Sequence, residues 1–327
     1  MMLKVLYLPL NTPGNTQTGM YDAWNNVGAQ LHVFDFYMRY LEHKNVSQTR
    51  REFLSMVDNL RPDLVHMQLQ FTGVLDFETL YKAKTISPST VFINWMGDIR
   101  KDISRDFLTL SPAIDYSFQS NVGQIEMYRQ AGCKNCHYWQ VGYDPKLFYP
   151  KGETSFKYDV VFTANMYDLN MFPDVRLRLE MARALKKRFG ARAGVFGSGY
   201  PNDLGRISKI SPYELNDLYN SSLTVLSVSN FNDVSHYFSD RLLACIGSGR
   251  PTISYRFPGI ESYFADKFDI LVSHSIPETI QLVEECMRNP EKATQIGRNG
   301  HIKVKNEHTF TSRVLELVKM VNLSDKL

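Results

Sequence analysis

The sequence predicts an α/β protein built from two doubly wound parallel sheets, on three observations. Short apolar, β-prone segments alternate with amphipathic segments of helical spacing, the order that parallel strands joined by crossover helices produce. The alternation halts at residues 141–150, VGYDPKLFYP, and then starts again. A chain of 327 residues also has the length for two domains that each bury a core.

Residues 141–150 divide the chain. Pro145 and Pro150 lack the N–H that a helix interior or a central strand requires. Gly142 gives backbone freedom where the apolar run of Tyr138, Trp139 and Val141 stops. Leu147 and Phe148 suit a segment pinned to a domain surface, unlike a Gly/Ser linker. The expected organisation is a first domain over 1–140, a crossover over 141–150 and a second domain over 151–327. The final helix is free to pack back on the first domain.

Composition excludes several classes. Apolar residues at 43% and charged residues at 22% are the balance of a soluble globular protein. The start, MMLKVLYLPL, is cut off by Pro9 and Asn11 before it reaches the length of a signal sequence. No stretch approaches the roughly 18 apolar residues of a membrane span, so a cytoplasmic protein is expected. Four cysteines in this length do not make a disulfide framework. A net charge of +3 neither requires nor excludes a nucleic-acid partner.

In the first half, residues 3–10 read as a buried strand and residues 20–30 as a helix, with a polar, glycine-bearing loop, Asn11 to Gly19, between them. A strand, such a loop and a helix N-terminus make an anion-binding arrangement; a plain surface turn is the alternative. Residues 31–36 are the second strand. Phe53, Leu54, Val57 and Leu60 mark a helix over 48–60. Strands follow over 64–69, 90–95 and 116–119, with helices over 77–84 and 122–131, the last closed by Gly132. Asp98 follows the strand at 90–95, at the carboxyl end where open α/β sheets bind ligands.

In the second half, strands are expected over 158–163, 193–196, 223–228 and 251–255. Helices are expected over 173–189, 211–220, 240–246, 277–288 and 311–321. Ser211, Pro212 and Glu214 have the order of a capping box with proline at the first helical position. Gly197 and Gly199 bracket a turn after an apolar strand, a weak signal alone because no Rossmann spacing or Walker lysine follows.

Three stretches resemble one family. Residues 142–150, GYDPKLFYP, resemble the "G-V-D-x-x-x-F-x-P" crossover of GT-B glycosyltransferases. Residues 61–66, RPDLVH, resemble the "P-D-V-V-H" strand of the large retaining glycosyltransferase family 4. Residues 238–254, FSDRLLACIGSGRPTIS, resemble the "R-x-x-E-x-x-A-C-G-x-P-x-I" donor helix, above all that of the CgeB-like spore-maturation glycosyltransferases. The resemblance implies a GT-B fold, two Rossmann-like domains facing an interdomain cleft. It implies transfer of a sugar from a nucleotide diphosphate sugar, UDP-linked by expectation, to a hydroxyl, with retention and no resident metal or other cofactor.

The resemblance also implies roles. Arg241 matches the family's phosphate-binding arginine. Gly14, Asn165, Gly197, Gly199, Tyr200, Ser239 and Asp240 fall with it on the donor side. The glutamate that holds the ribose in the family falls on Ala244, and its partner acid on His236; His236, Asp233 or Asp240 stand as substitutes. Asp98 is the expected acceptor-side carboxylate, with an aspartate that caps the next turn as the alternative.

Other features have plainer readings. His66 on a strand reads as a core histidine. Cys133 to His137, CKNCH, spells a haem-attachment motif, but without an export signal or a second ligand pair two buried small hydrophobes are expected. Arg176, Arg178, Arg183, Lys186, Lys187 and Arg188 read as a solvated helix face, with a polyanion contact as the minority reading. A small-molecule or glycan acceptor is favoured over DNA. A non-catalytic sugar-nucleotide binder and a GT-B epimerase remain the other readings.

Overall fold

The computed structural model describes residues 2–13, 18–152, 155–204 and 210–327. Gly14, expected at the donor side, lies outside them. The chain divides into two compact units, Met1–Val141 with Phe310–Leu327, and Gly142–Thr309.

The first unit holds β1 (Lys4–Leu8), α1 (Thr18–Asn26), β2 (Gln30–Val33), α2 (Phe36–His43), α3 (Val46–Leu60), β3 (Leu64–Met67), α4 (Phe77–Ile86), β4 (Val91–Met96), α5 (Arg105–Leu110), β5 (Tyr116–Gln119), α6 (Ile125–Gln130) and β6 (Cys136–Tyr138). Its strands lie parallel in the order β2-β1-β3-β4-β5-β6. Helix starts are set by side-chain caps: Asn45 accepts from the Gln48 N–H, Asp76 from Thr79 and Ser104 from Phe107.

The second unit holds β7 (Tyr158–Thr163), α7 (Val175–Phe189), β8 (Ala193–Phe196), α8 (Leu215–Asn220), β9 (Ser222–Ser227), α9 (Asp240–Gly247), β10 (Thr252–Tyr255), β11 (Leu271–Ser273), α10 (Ile276–Arg288) and α11 (Pro290–Glu307). Its parallel strands run β11-β10-β9-β7-β8. The last helix, α12 (Phe310–Met320), belongs to the first unit and packs on α1. There Arg313 donates to the Val141 carbonyl, and the Trp139 indole donates to the Arg313 carbonyl. No helix among the described residues is long and apolar enough to cross a membrane.

Both sheets are doubly wound, and each has a switch point where neighbouring strands leave the chain in opposite directions: β1 beside β3, and β7 beside β9. Apolar clusters line the sheet faces, including Leu6, Phe53, Val65 and Phe92 in the first unit and Val160, Phe162, Met181 and Leu226 in the second.

The sequence reading needs correcting at several elements. Residues 34–36 are not strand, because Asp35 accepts from the Met38 N–H and starts α2. The expected helix over 211–220 begins as a 3-10 turn, with α8 proper from Leu215, although the Ser211 N–H does reach the Glu214 carboxylate. The long helix α11 is absent from the expected elements; it carries Gly297 and Gly300, each a cost of about 1 kcal/mol in a helix. Both are there for close approach: a Cβ at Gly297 would lie 2.4 Å from the Gly249 carbonyl oxygen, and one at Gly300 2.3 Å from that of Asp269.

Candidate functional site

The site builds outward from the switch point of the second sheet, where open α/β proteins bind ligands. β7 runs out into Ala164 and Asn165, β9 into Val228 and Ser229, and the edge strand β8 into the turn Gly197–Gly199. One side chain ties the two central strand ends together. Arg178, on α7, donates from Nε to the Val228 carbonyl at 2.9 Å and from Nη1 to the Asn165 carbonyl at 3.2 Å. It is only 1% exposed. Burial, and then the charge of Arg241, push its guanidinium down to about 9, still protonated at neutral pH.

Arg178 corrects the sequence reading directly. It does not belong to a solvated basic face. Val175, Arg178, Met181, Ala182 and Leu185 form the buried stripe of α7, so its place was legible as an arginine at helical spacing among apolar residues. The sequence reading missed it as a site residue.

The turn beside it is built by exclusion. Gly197 has φ +146°, and a Cβ there would fall 1.8 Å from the Ala164 carbonyl oxygen. Gly199 has φ +77°, with its Cβ position 2.6 Å from the Met166 carbonyl oxygen. The Asn165 side-chain oxygen accepts from both the N–H and the hydroxyl of Ser198 at 3.0 Å. Asn165 is thus committed to holding the turn against β7. Tyr200 follows with its hydroxyl buried and without a hydrogen-bond partner. Burial raises this phenol, and the charges of Arg178 and Arg241 oppose the rise.

Arg241 enters from the first turn of α9. Its Nη2 lies 3.4 Å from the Ser239 hydroxyl, and among the described residues its buried Nε has no hydrogen-bond partner. Among the described residues no ion pair joins a carboxylate to Arg178 or Arg241. The charge of Arg241 acts on Arg178, and two neighbouring guanidinium groups with no ion-paired carboxylate among the described residues have the chemistry to hold an anion. Ser239 is the residue before α9 and makes no side-chain cap; Asp240 is its first residue, with Oδ1 accepting from the Arg241 N–H. Asp174 braces the rim by accepting from both the backbone and side-chain nitrogens of Asn232, whose side-chain oxygen accepts from the Ser229 N–H.

The structure thus brings Asn165, Gly197, Gly199, Tyr200, Ser239 and Arg241 around one switch point, joined by Arg178. His236 sits in a different setting of the same unit. It adopts φ +57°, its Nδ1 lies 2.8 Å from the Tyr263 hydroxyl, and its ring covers Gly259, where a Cβ would meet the ring at 2.8 Å. Ala244, where the family has its ribose glutamate, packs in an apolar cluster with Val161, Tyr219 and Val225. Asp98 belongs to the first unit, on the exposed loop after β4, where it accepts from Gln70, whose oxygen accepts from Arg100. Among the described residues no group of three or more His, Cys, Asp and Glu is placed to hold a metal.

Residues 178–319 match the family model described as Glycosyl transferase-like. No curated protein matches the chain. Solved structures do. HepE from Anabaena, in complex with UDP and glucose, aligns over 98% of this chain and 99% of its own at 12% identity, with a TM-score of 0.66. A glycosyltransferase from Rickettsia africae aligns over 99% of both chains at 11% identity, with a TM-score of 0.66. Sucrose-phosphate synthase from Thermosynechococcus elongatus covers 98% of both at 11% identity, with a TM-score of 0.62. The fold is GT-B, as the sequence reading expected, and the glycosyltransferase likeness is borne out at the level of family model and fold.

Proposed function

We propose that this protein is a glycosyltransferase that moves a sugar from a nucleotide diphosphate sugar to a hydroxyl acceptor. The observation that carries the proposal is the pair Arg178 and Arg241 at the switch point of the second sheet: the charge of Arg241 helps to lower the buried Arg178 guanidinium, and among the described residues neither is ion-paired to a carboxylate. The UDP and glucose in the HepE structure support a UDP-sugar as the donor.

In this reading Arg241 clamps the diphosphate as it takes up charge, since a guanidinium pairs bidentately with phosphate oxygens. Arg178 reinforces the positive field from beneath and holds the two strand ends at a fixed spacing. The Tyr200 hydroxyl, unpartnered and kept protonated, donates to the same anion. These groups supply the stabilisation a divalent cation would give, so no resident metal is proposed. The acceptor is read by the first unit, with Asp98 on its β4 loop orienting the attacking hydroxyl. Retention of configuration is the family's expectation and is proposed with the rest.

A second reading follows from Ala244. Where the family places a ribose-binding carboxylate, this chain has apolar packing, which favours a sugar-nucleotide binder without turnover. A thermal-shift screen with nucleoside diphosphates and their sugars, followed by an assay for released diphosphate, decides between them. A ligand at a hundredfold its dissociation constant adds about 2.7 kcal/mol. Stabilisation with turnover supports the transferase, stabilisation alone supports the binder, and no stabilisation by any of them overturns both.

A further inference from the structure

The first unit carries a pair of thiols that the proposed transfer reaction does not use. Cys133 lies in the turn after α6, and Cys136 opens the edge strand β6. Both are free, 2% and 0% exposed, and their side chains meet in one cluster with Met96, Phe107, Ile125 and Tyr128. The cover over them is thin, because Ala131, Gly132, Lys134 and Asn135 around the turn are all exposed.

We propose that Cys133 and Cys136 are a reversible dithiol–disulfide couple, oxidised by a small peroxide. The sequence spacing C-x-x-C places two thiols on one tight turn, and here both side chains are buried in the same cluster. The backbone frame is fixed on both sides. The Cys133 N–H donates to the Tyr128 carbonyl at 2.9 Å, and Arg129 donates from Nε and Nη2 to the Cys136 carbonyl at 3.1 and 2.8 Å. Ser117, buried on β5, is the register partner of Cys136.

The two sulfurs are not equivalent. The Cys136 thiol, the Ser117 hydroxyl and the Arg129 charge hold Cys133 below the usual thiol range against its burial. Cys136 is driven the other way, by the Cys133 thiol and by burial. The thiolate is the nucleophile, so Cys133 attacks and Cys136 resolves. The Cys133 sulfur takes one peroxide oxygen and becomes a sulfenic acid, releasing hydroxide. The Cys136 sulfur then displaces that oxygen, which leaves as water with the Cys136 proton. Two thiols lose two electrons, and one peroxide becomes two waters. A dithiol reductant reverses the step.

Lys134 lies between the two cysteines, which gives a direct test. Trypsin cuts after Arg129, Lys134 and Lys146, so the peptides 130–134 and 135–146 stay joined only through a disulfide. The folded full-length protein is treated with hydrogen peroxide, alkylated under denaturing conditions, digested and weighed. The expected result is the joined pair, two mass units below the sum of the two separate reduced peptides, and separated by dithiothreitol. Separate, fully alkylated peptides would overturn the proposal, as would linkage of either cysteine to Cys245 or Cys286. Sulfenic-acid capture by dimedone checks the order of attack. Cys136→Ser should label at Cys133 several-fold faster than Cys133→Ser labels at Cys136, with circular dichroism confirming that both variants fold. Equal labelling would overturn the assignment of the attacking sulfur.

Discussion

Gly197 and Ala164 meet more closely than any side chain allows: a Cβ on the first would sit 1.8 Å from the carbonyl oxygen of the second. The contact lets the turn after β8 lie against the end of β7, with the Ala164 N–H donating to the Phe196 carbonyl and the Met166 N–H to the Ser198 carbonyl. Gly197→Ala adds a clash with backbone to a φ that L residues avoid, strain on the order of 1–3 kcal/mol. The variant should lose donor binding and show an earlier urea midpoint. A midpoint unchanged from the parent would defeat the account of this turn.

The two arginines should separate stability from binding. Arg241 is partly exposed and makes one weak side-chain bond, so Arg241→Ala keeps the fold and loses roughly 10- to 100-fold in donor turnover, the worth of one charge-assisted phosphate contact. Arg178→Met should also unfold more easily, by on the order of 2–4 kcal/mol, because the Val228 and Asn165 carbonyls lose their buried donor. Turnover and chemical denaturation measured on both variants check this. Equal stability of the two would contradict the bridging role of Arg178.

Much of this was legible in the sequence where period and cap agreed. Residues 116–119, 158–163 and 193–196 are strands with the bounds the β-prone runs imply. Gly197 and Gly199 were visible as a turn, but their reason lies in the pairing of β8 with β7, which no local pattern states. Arg178 was counted by its charge when its spacing with Val175 and Met181 placed it inside. Helix α11 has no counterpart among the expected elements, and the backbone that its glycines accommodate, at Gly249 and Asp269, is distant in sequence. Asn165 was assigned to the nucleotide; that its side-chain oxygen also accepts from Ser198 and holds the turn was not legible, because Ser198 lies on another strand's end.

His66 makes acid stability a test of the first unit. It is fully buried, its Nδ1 accepts from the Trp24 indole at 3.2 Å, and burial pushes it down to about 3. The unfolded chain binds a proton on this residue near pH 6.5, and the folded one only near pH 3. Stability from His66 is therefore complete above about pH 6.5 and falls as pH drops toward 3, by up to about 1.4 kcal/mol per pH unit. His66→Gln keeps an acceptor for Trp24 and cannot titrate. Unfolding measured between pH 4.5 and 6 should show a slope shallower by close to one proton in the variant. An unchanged slope would mean that His66 is charged in the fold.

Duplex DNA is the acceptor that we do not propose. Non-specific affinity for DNA comes from several phosphates neutralised at once, which requires a coherent basic surface. Two members of the basic run on α7 are withdrawn from such a surface: Arg178 is buried beneath the switch point, and Arg188 pairs with Glu284 at 2.6 Å. In the first unit, Arg100 bonds to Gln70, which in turn bonds to Asp98, so basic and acidic groups alternate on the loop after β4. Such loops suit hydroxyl-bearing acceptors better than a phosphate track. Titration with a fluorescent duplex at 50 and 200 mM salt should give weak binding with little salt dependence. Micromolar affinity falling by about a thousandfold or more between those concentrations, the signature of six or more phosphate contacts, would make DNA the acceptor to pursue.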